Sequence, residues 1–143
     1  MAVSKPVREI ADVVIIGGGL AGMAAADAAA SEGARVLVLD RNALGLGTNT
    51  ALSNGVFAGP TAMYSKTAYL SDTHRIGKGL GRQWMARRIA AEIDAGISWL
   101  RKTGLEIEER KDHYFVVARA ANRFPGAELA KCTAAFIQSR PRI

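Results

Sequence analysis

A run of three glycines between two apolar segments constrains this chain more than any other feature. Val13, Val14, Ile15 and Ile16 lead into Gly17-Gly18-Gly19, and an alanine-rich run follows from near Leu20 to Gly33. A second apolar run, Val36 to Leu39, closes on Asp40. Four β-branched residues predict a short buried strand, and the alanines predict a helix. The order is strand, glycine turn, helix, strand, acid. That is the βαβ unit that binds a dinucleotide.

Each part has a chemical reason. Gly17 lets the chain leave the strand in a tight turn. Gly19 has no Cβ, so a pyrophosphate can approach the backbone, and Gly22 lets the helix pack closely on the strand. The first helical amides lack intrahelical acceptors and face the phosphates, aided by the helix dipole. Asp40 follows Gly17 by 23 residues. A carboxylate there accepts hydrogen bonds from a ribose diol and repels a 2′-phosphate, so FAD or NAD is expected rather than NADP. A membrane helix from Val13 to Ala26 is excluded. The run holds four glycines, ends against Asp27, and falls short of the ~20 apolar residues a span needs.

Beyond Asp40, residues 41–60 read as a loop rich in Gly, Asn, Thr and Ser, with no charge from Asn42 to Ser65. An uncharged, hydroxyl-rich loop beside the ribose acid suits close contact with a cofactor. It also argues against a nicotinamide-dependent enzyme, in which another βα repeat would follow the acid. Residues 61–81 read as irregular. Met85, Ile89, Ile93, Ile97 and Leu100 form the stripe of an amphipathic helix over 82–103, stopped by Gly104 and expected to be core. Residues 105–117 read as a hairpin around Arg110-Lys111-Asp112. Residues 118–125 form a basic loop, and 126–139 a helix with Leu129, Cys132, Phe136 and Ile137 on one side.

The 143 residues amount to one domain, and 49% apolar content supports a core. The net charge of +6 lies wholly in residues 71–143, with fourteen basic against eight acidic residues. A solvated helix face accounts for it, and no nucleic-acid motif accompanies it, so no nucleic-acid partner is expected. Arg75, Arg82, Arg119 and Arg123 have the chemistry to bind a carboxylate, though each reads as part of that solvated face. Cys132 is the only cysteine, and His74 and His113 lack partners at ligand spacing, so no metal site is expected. The N-terminus lacks the apolar core of a signal peptide, and a cytoplasmic location is expected.

Taken together, the strand-GGG-helix-strand unit, the loop GTNTALSNGVFAG and the helix ending WLRKTGLEIE resemble the N-terminal part of FAD-dependent oxidoreductases. The nearest group is the flavoprotein subunits of succinate dehydrogenase and fumarate reductase, with relatives such as aspartate oxidase and ketosteroid dehydrogenases. The resemblance runs from Asp12 to about Gln138. It implies an α/β fold: the N-terminal βαβ part of a Rossmann-like, glutathione-reductase-type FAD-binding domain, incomplete, with a helix and small hairpin appended. Residues 12–60 would be the dinucleotide core and flavin loop, 61–125 a helix and hairpin insertion, and 126–143 a returning helix.

By the same resemblance, Gly17, Gly19, Leu20 and Ala21 cradle the FAD pyrophosphate, and Asp40 holds the adenosine ribose with Arg41 beside it. Thr48, Asn49 and Thr50 bond phosphate or ribityl oxygens, and Ser53, Asn54 and Gly55 run along the isoalloxazine edge. The membrane-bound enzymes carry a flavin-linked histidine where this chain has Thr48. Threonine cannot form that bond, so non-covalent FAD is expected. Asn54 departs from the usual Gly-Gly. The implied activity is hydride transfer between FAD and a carbon–carbon bond next to a carboxylate or carbonyl of a small-molecule substrate. No residue here qualifies as general acid or base. The capping domain and the closing part of the FAD domain are not in the sequence. A fragment, a split protein completed by another chain or redox partner subunit, and a remnant are the expected alternatives; in each the chain alone is inactive.

Overall fold

The computed structural model describes residues 8–119 and 124–143. Strand β1 (Val13–Ile16) and strand β2 (Val36–Leu39) pair in parallel, Val13 opposite Val36 and Ile16 opposite Leu39. Helix α1 (Leu20–Ser31) crosses between them and buries Met23, Ala26 and Ala30. Alanine at these positions removes steric bulk, so the helix lies close on the strands, where Ala26 and Ala30 meet Val36. Past the helix Gly33 takes φ +91°, a left-handed conformation that glycine adopts without penalty, and its amide closes on Ala30 O. The Val36 amide of β2 donates to Arg142 O at 2.7 Å, which ties the residues after α5 to the first residue of this strand.

A second sheet is antiparallel, in the order β3-β5-β4. Strands β4 (Ile107–Glu109) and β5 (His113–Val116) form the expected hairpin around 110–112. Strand β3 (Val56–Ala58) pairs with β5 from the other side. It lies inside the stretch read as loop, as does a one-turn helix, α2 (Asn49–Leu52). Three-residue pairing is too short to give a periodic signal, and tertiary context fixes it.

Residues 61–81 were expected to be irregular, but helix α3 (Lys66–Ile76) occupies their middle. It buries only Tyr69, so no apolar stripe advertised it. Its signal was local: Ser65 Oγ accepts the Ala68 amide at 3.2 Å. Helix α4 (Gln83–Lys102) matches its expected range and stops at Gly104. Only the C-terminal end of its stripe is core. Ile97 and Leu100 are buried and Ile93 packs against them, whereas Met85 and Ile89 stay exposed.

Helix α5 (Pro125–Gln138) holds the two sheets together. Leu129 joins Ile97, Leu100, Leu105, Ile107, Tyr114 and Val116 in one cluster; Ala134 and Ile137 meet Met23 of α1 in another. The basic loop and Arg123 fall largely on residues 120–123, outside the described residues.

Candidate cofactor site

The site forms where β1 and β2 end. Gly17 takes φ +109° as the chain leaves β1, while its amide still bonds Leu39 O at 2.8 Å. A Cβ on Gly22 would sit 1.9 Å from Gly17 O, so α1 can start here only with glycine at that position. A Cβ on Gly19 would meet nothing closer than Thr50 Oγ1 at 3.6 Å. Gly22 therefore serves the fold, while Gly19 keeps the space above the turn open.

Asp40 closes the turn. Its carboxylate accepts the Gly18 amide at 2.5 Å and the Asn42 amide at 3.0 Å. These N–H donors, Asn42 first and Gly18 next, hold the Asp40 carboxyl below the usual carboxylate range. Asp40 is thus an anion at neutral pH: suited to accept from hydroxyls, unsuited to donate a proton. Gly18 had no role in the sequence reading. It is buried, and a Cβ there would press on Leu44 Cδ1 at 2.8 Å. Three glycines in a row hid which of them serve packing.

The loop that follows is fastened to the helix start. Thr50 Oγ1 accepts the Leu20 amide at 3.0 Å, capping an otherwise orphaned donor. Thr48 caps α2, accepting the Ala51 amide at 3.3 Å and donating to Gly45 O at 2.9 Å. Ser53 Oγ donates to Thr50 O at 2.9 Å. Gly55 takes φ +70° and is wedged against α5, with Pro125 Cβ 2.6 Å from where its own Cβ would be. Gly126 does the same from the other side: its Cβ would meet Ser53 O at 2.2 Å, and its amide bonds that oxygen at 3.1 Å. Sequence reasoning missed Gly126, whose only signal is its place after Pro125 at the helix start.

These residues border two clefts. One, of about 610 Å³, is lined by Gly17, Gly19, Asp40, Arg41, Thr48 and Asn49, together with Asn42, Gly47 and the strand ends Ile16 and Leu39. The other, of about 270 Å³, is lined by Leu20, Asn49, Thr50, Ser53 and Gly55, with Val56, Phe57 and Leu129. Asn49 borders both. Ala21, Gly22 and Asn54 line neither: Gly22 faces the strand, and Ala21 and Asn54 are exposed. Asp40 and Arg41 are the only ionisable side chains on either cleft among the described residues.

The arginines considered for a carboxylate stand elsewhere. Arg75 pairs with Asp72 at 2.7 Å, and Arg119 donates to Gly104 O at 2.6 Å. Arg82 borders a small recess beside His74, and Arg123 lies outside the described residues. No group of three or more metal-ligating side chains occurs among the described residues. Burial pushes the Cys132 thiol up, with Glu128 Oε1 3.7 Å away.

A cradle of this kind, with a glycine turn under a helix start, a charged acid on the next strand and a neutral loop, has the donor set for the pyrophosphate and ribose of a flavin dinucleotide. Residues 12–140 match the family described as FAD binding domain. The chain belongs to that family. As an FAD-binding domain it is 35% identical over 107 residues to digoxin reductase from Eggerthella lenta, covering 68% of this chain and 19% of that protein. It is 26% identical over 104 residues to fumarate reductase from Schizosaccharomyces pombe, covering 67% and 20%. Its fold matches quinol fumarate reductase FrdA from E. coli with a TM-score of 0.77, at 21% identity, over 93% of this chain and 25% of that one. The chain thus spans about a fifth of the curated relatives it matches. No helix among the described residues of this FAD-binding domain is long and apolar enough to cross a membrane.

Proposed function

We propose that the chain is the cofactor-binding part of a flavin-dependent oxidoreductase that moves hydride to or from a carbon–carbon bond next to a carboxylate or carbonyl. The observation that carries this reading is the pair of clefts meeting at Asn49, one floored by the glycine turn with Asp40 and the other by Ser53 and Gly55. Bound FAD would supply the hydride chemistry.

The chain's own residues bind and orient. The free first-turn amides, Ala21 among them, and the α1 dipole favour a pyrophosphate over Gly17 and Gly19. Asp40 accepts from a ribose diol, with Arg41 at the rim. Thr48, Asn49 and Thr50 offer hydroxyl and amide groups to phosphate or ribityl oxygens, and Ser53, Asn54 and Gly55 run along the flavin edge. Thr48 lacks the imidazole nitrogen that forms the histidyl–flavin bond, so the cofactor is held non-covalently. Residues 12–60 would form the cofactor core, 61–125 an inserted helix and hairpin, and 126–143 the returning helix. The substrate is a small molecule with a carboxylate or carbonyl beside the reacting bond, and the location is cytoplasmic.

A second reading, a binding module that works only with another chain or redox partner subunit, is favoured by one observation. Val14, Ile16 and Leu39 leave a face of the parallel sheet exposed. The two readings share one experiment. Purified protein, titrated with FAD, should turn yellow and release all flavin on acid precipitation. Reduction by a donor supports the enzyme; bound flavin that no donor reduces supports the module. Protein that stays colourless and takes up no FAD would refute both.

A further inference from the structure

The connection between α3 and α4 plays no part in the cofactor site, yet it is a fixed and unusual structure. Leu80 N–H donates to Gly77 O at 2.9 Å, and Gly79 N–H to His74 O at 3.0 Å. Lys78 and Gly79 both have positive φ, +49° and +74°, as a type I′ turn requires. Lys78 is the only non-glycine in that region among the described residues. His74 Nδ1 lies 2.6 Å from Gln83 Nε2, which ties the end of α3 to the start of α4.

This hydrogen-bonded tip presents apolar side chains to solvent. Ile76 is 71% exposed, Leu80 90% and Trp84 61%. Cations are interleaved with them along the chain. From Thr73 to Ala91 there is no acid, but there are five basic residues: Arg75, Lys78, Arg82, Arg87 and Arg88. Arg75 pairs with Asp72 and Arg88 with Glu92. Lys78, Arg82 and Arg87 carry no ion pair among the described residues. The recess beside them, bordered by Thr73, His74 and Gln83, holds about 40 Å³, too little for a metabolite.

We propose that this tip docks the chain onto an anionic lipid bilayer. Leu80 and Trp84 enter the headgroup layer, and Lys78, Arg82 and Arg87 lie over lipid phosphates. Charge complementarity points to an anionic partner. The exposure points to a fluid one: Leu80 has almost no protein around it, whereas a docked protein segment needs neighbouring side chains to pack against. An indole beside cations is the usual furniture of a membrane interface.

The test uses the whole 143-residue chain with vesicles of phosphatidylcholine alone and of phosphatidylcholine with about 30% phosphatidylglycerol. The chain should co-sediment with the anionic vesicles only and come off at about 0.5 M KCl. Emission from Trp84 should shift to the blue on binding; Trp99 is half-buried and bonded to Asp27, so it should report little. Lys78→Gln with Arg82→Gln should weaken binding about twenty-five-fold, a factor of about five for each lost cation. Leu80→Ser should suppress the blue shift. Circular dichroism checks that each variant is folded, and the unmutated arms decide the matter if one is not. No sedimentation with anionic vesicles, equal binding to neutral ones, or unchanged binding by the double variant would overturn the proposal. So would capture by polyglutamate with no blue shift on vesicles, which would give the face to an acidic protein.

Discussion

Trp99 on α4 donates its indole N–H to Asp27 on α1 at 2.8 Å, across 72 residues of chain. Asp27 is buried, and its other oxygen lies 2.8 Å from Arg140 Nε just past α5. Arg140 also reaches Ser31 Oγ, and Trp99 meets Phe136 edge to face with centroids 6.4 Å apart. One carboxylate thus ties together α1, α4 and the turn that follows α5.

That linkage predicts a graded loss of stability. Asp27→Ala strands both the indole and the guanidinium, at a cost of about 2–4 kcal/mol, discounted because Arg140 is partly solvated. Asp27→Asn keeps an acceptor for Trp99 and should cost less, and Trp99→Phe about 1–2 kcal/mol. Urea unfolding midpoints check the order; equal stability of all four proteins would remove the linkage.

Acid should weaken the fold through Asp12. The Arg35 side chain, at 2.9 and 3.1 Å, and the Arg35 amide hold the Asp12 carboxyl well below the ordinary carboxylate range. The native state therefore binds this proton less readily than the unfolded chain. The contribution is fully present above the unfolded value, near pH 4, and fades as pH falls through the lowered native one. Asp40, Asp72 and Asp112 are shifted in the same direction. Melting temperature should fall below about pH 4, and Asp12→Asn should flatten part of that slope. An unchanged slope in the variant would show that Asp12 is not among the groups responsible.

Asp40→Ala should weaken FAD binding by about 1–3 kcal/mol, because a charged acceptor for the ribose is lost. The variant also frees the Gly18 and Asn42 amides, so its melting temperature should drop slightly even without ligand. Calorimetric titration with FAD separates the two effects, and undiminished affinity would remove Asp40 from the ribose site.

The βαβ unit was legible because strand, turn, helix and acid each carry an independent signal in consecutive residues. The site beyond it was legible only as composition. Nothing in the sequence marks Thr50 as the cap of Leu20, or Gly126 as the residue that lets α5 lie on Ser53, because both depend on chain 30 or more residues away. Helix α3 was missed for the opposite reason: with a single buried residue its apolar period is absent, and the Ser65 cap alone is weak evidence. The α4 stripe was over-read as core, since periodicity shows an amphipathic face and not what covers it.

Gly19, the N-cap of α1, and Gly22, inside its first turn, should part company on mutation, and this separates folding from binding. Gly22→Ala places a methyl 1.9 Å from Gly17 O, a backbone atom that cannot move without breaking the turn. That protein should lose about 3 kcal/mol or more, or fail to fold. Gly19→Ala meets ordinary contacts at 3.6 and 3.9 Å, and Gly19 already has φ −76°, which alanine adopts freely. It should melt close to the parent. Its methyl would nonetheless stand where a pyrophosphate must approach the backbone, so FAD affinity should fall by at least about tenfold. Melting curves and FAD titrations on the two variants check both halves. A Gly19→Ala protein that binds FAD as the parent does would place the pyrophosphate somewhere other than over this turn.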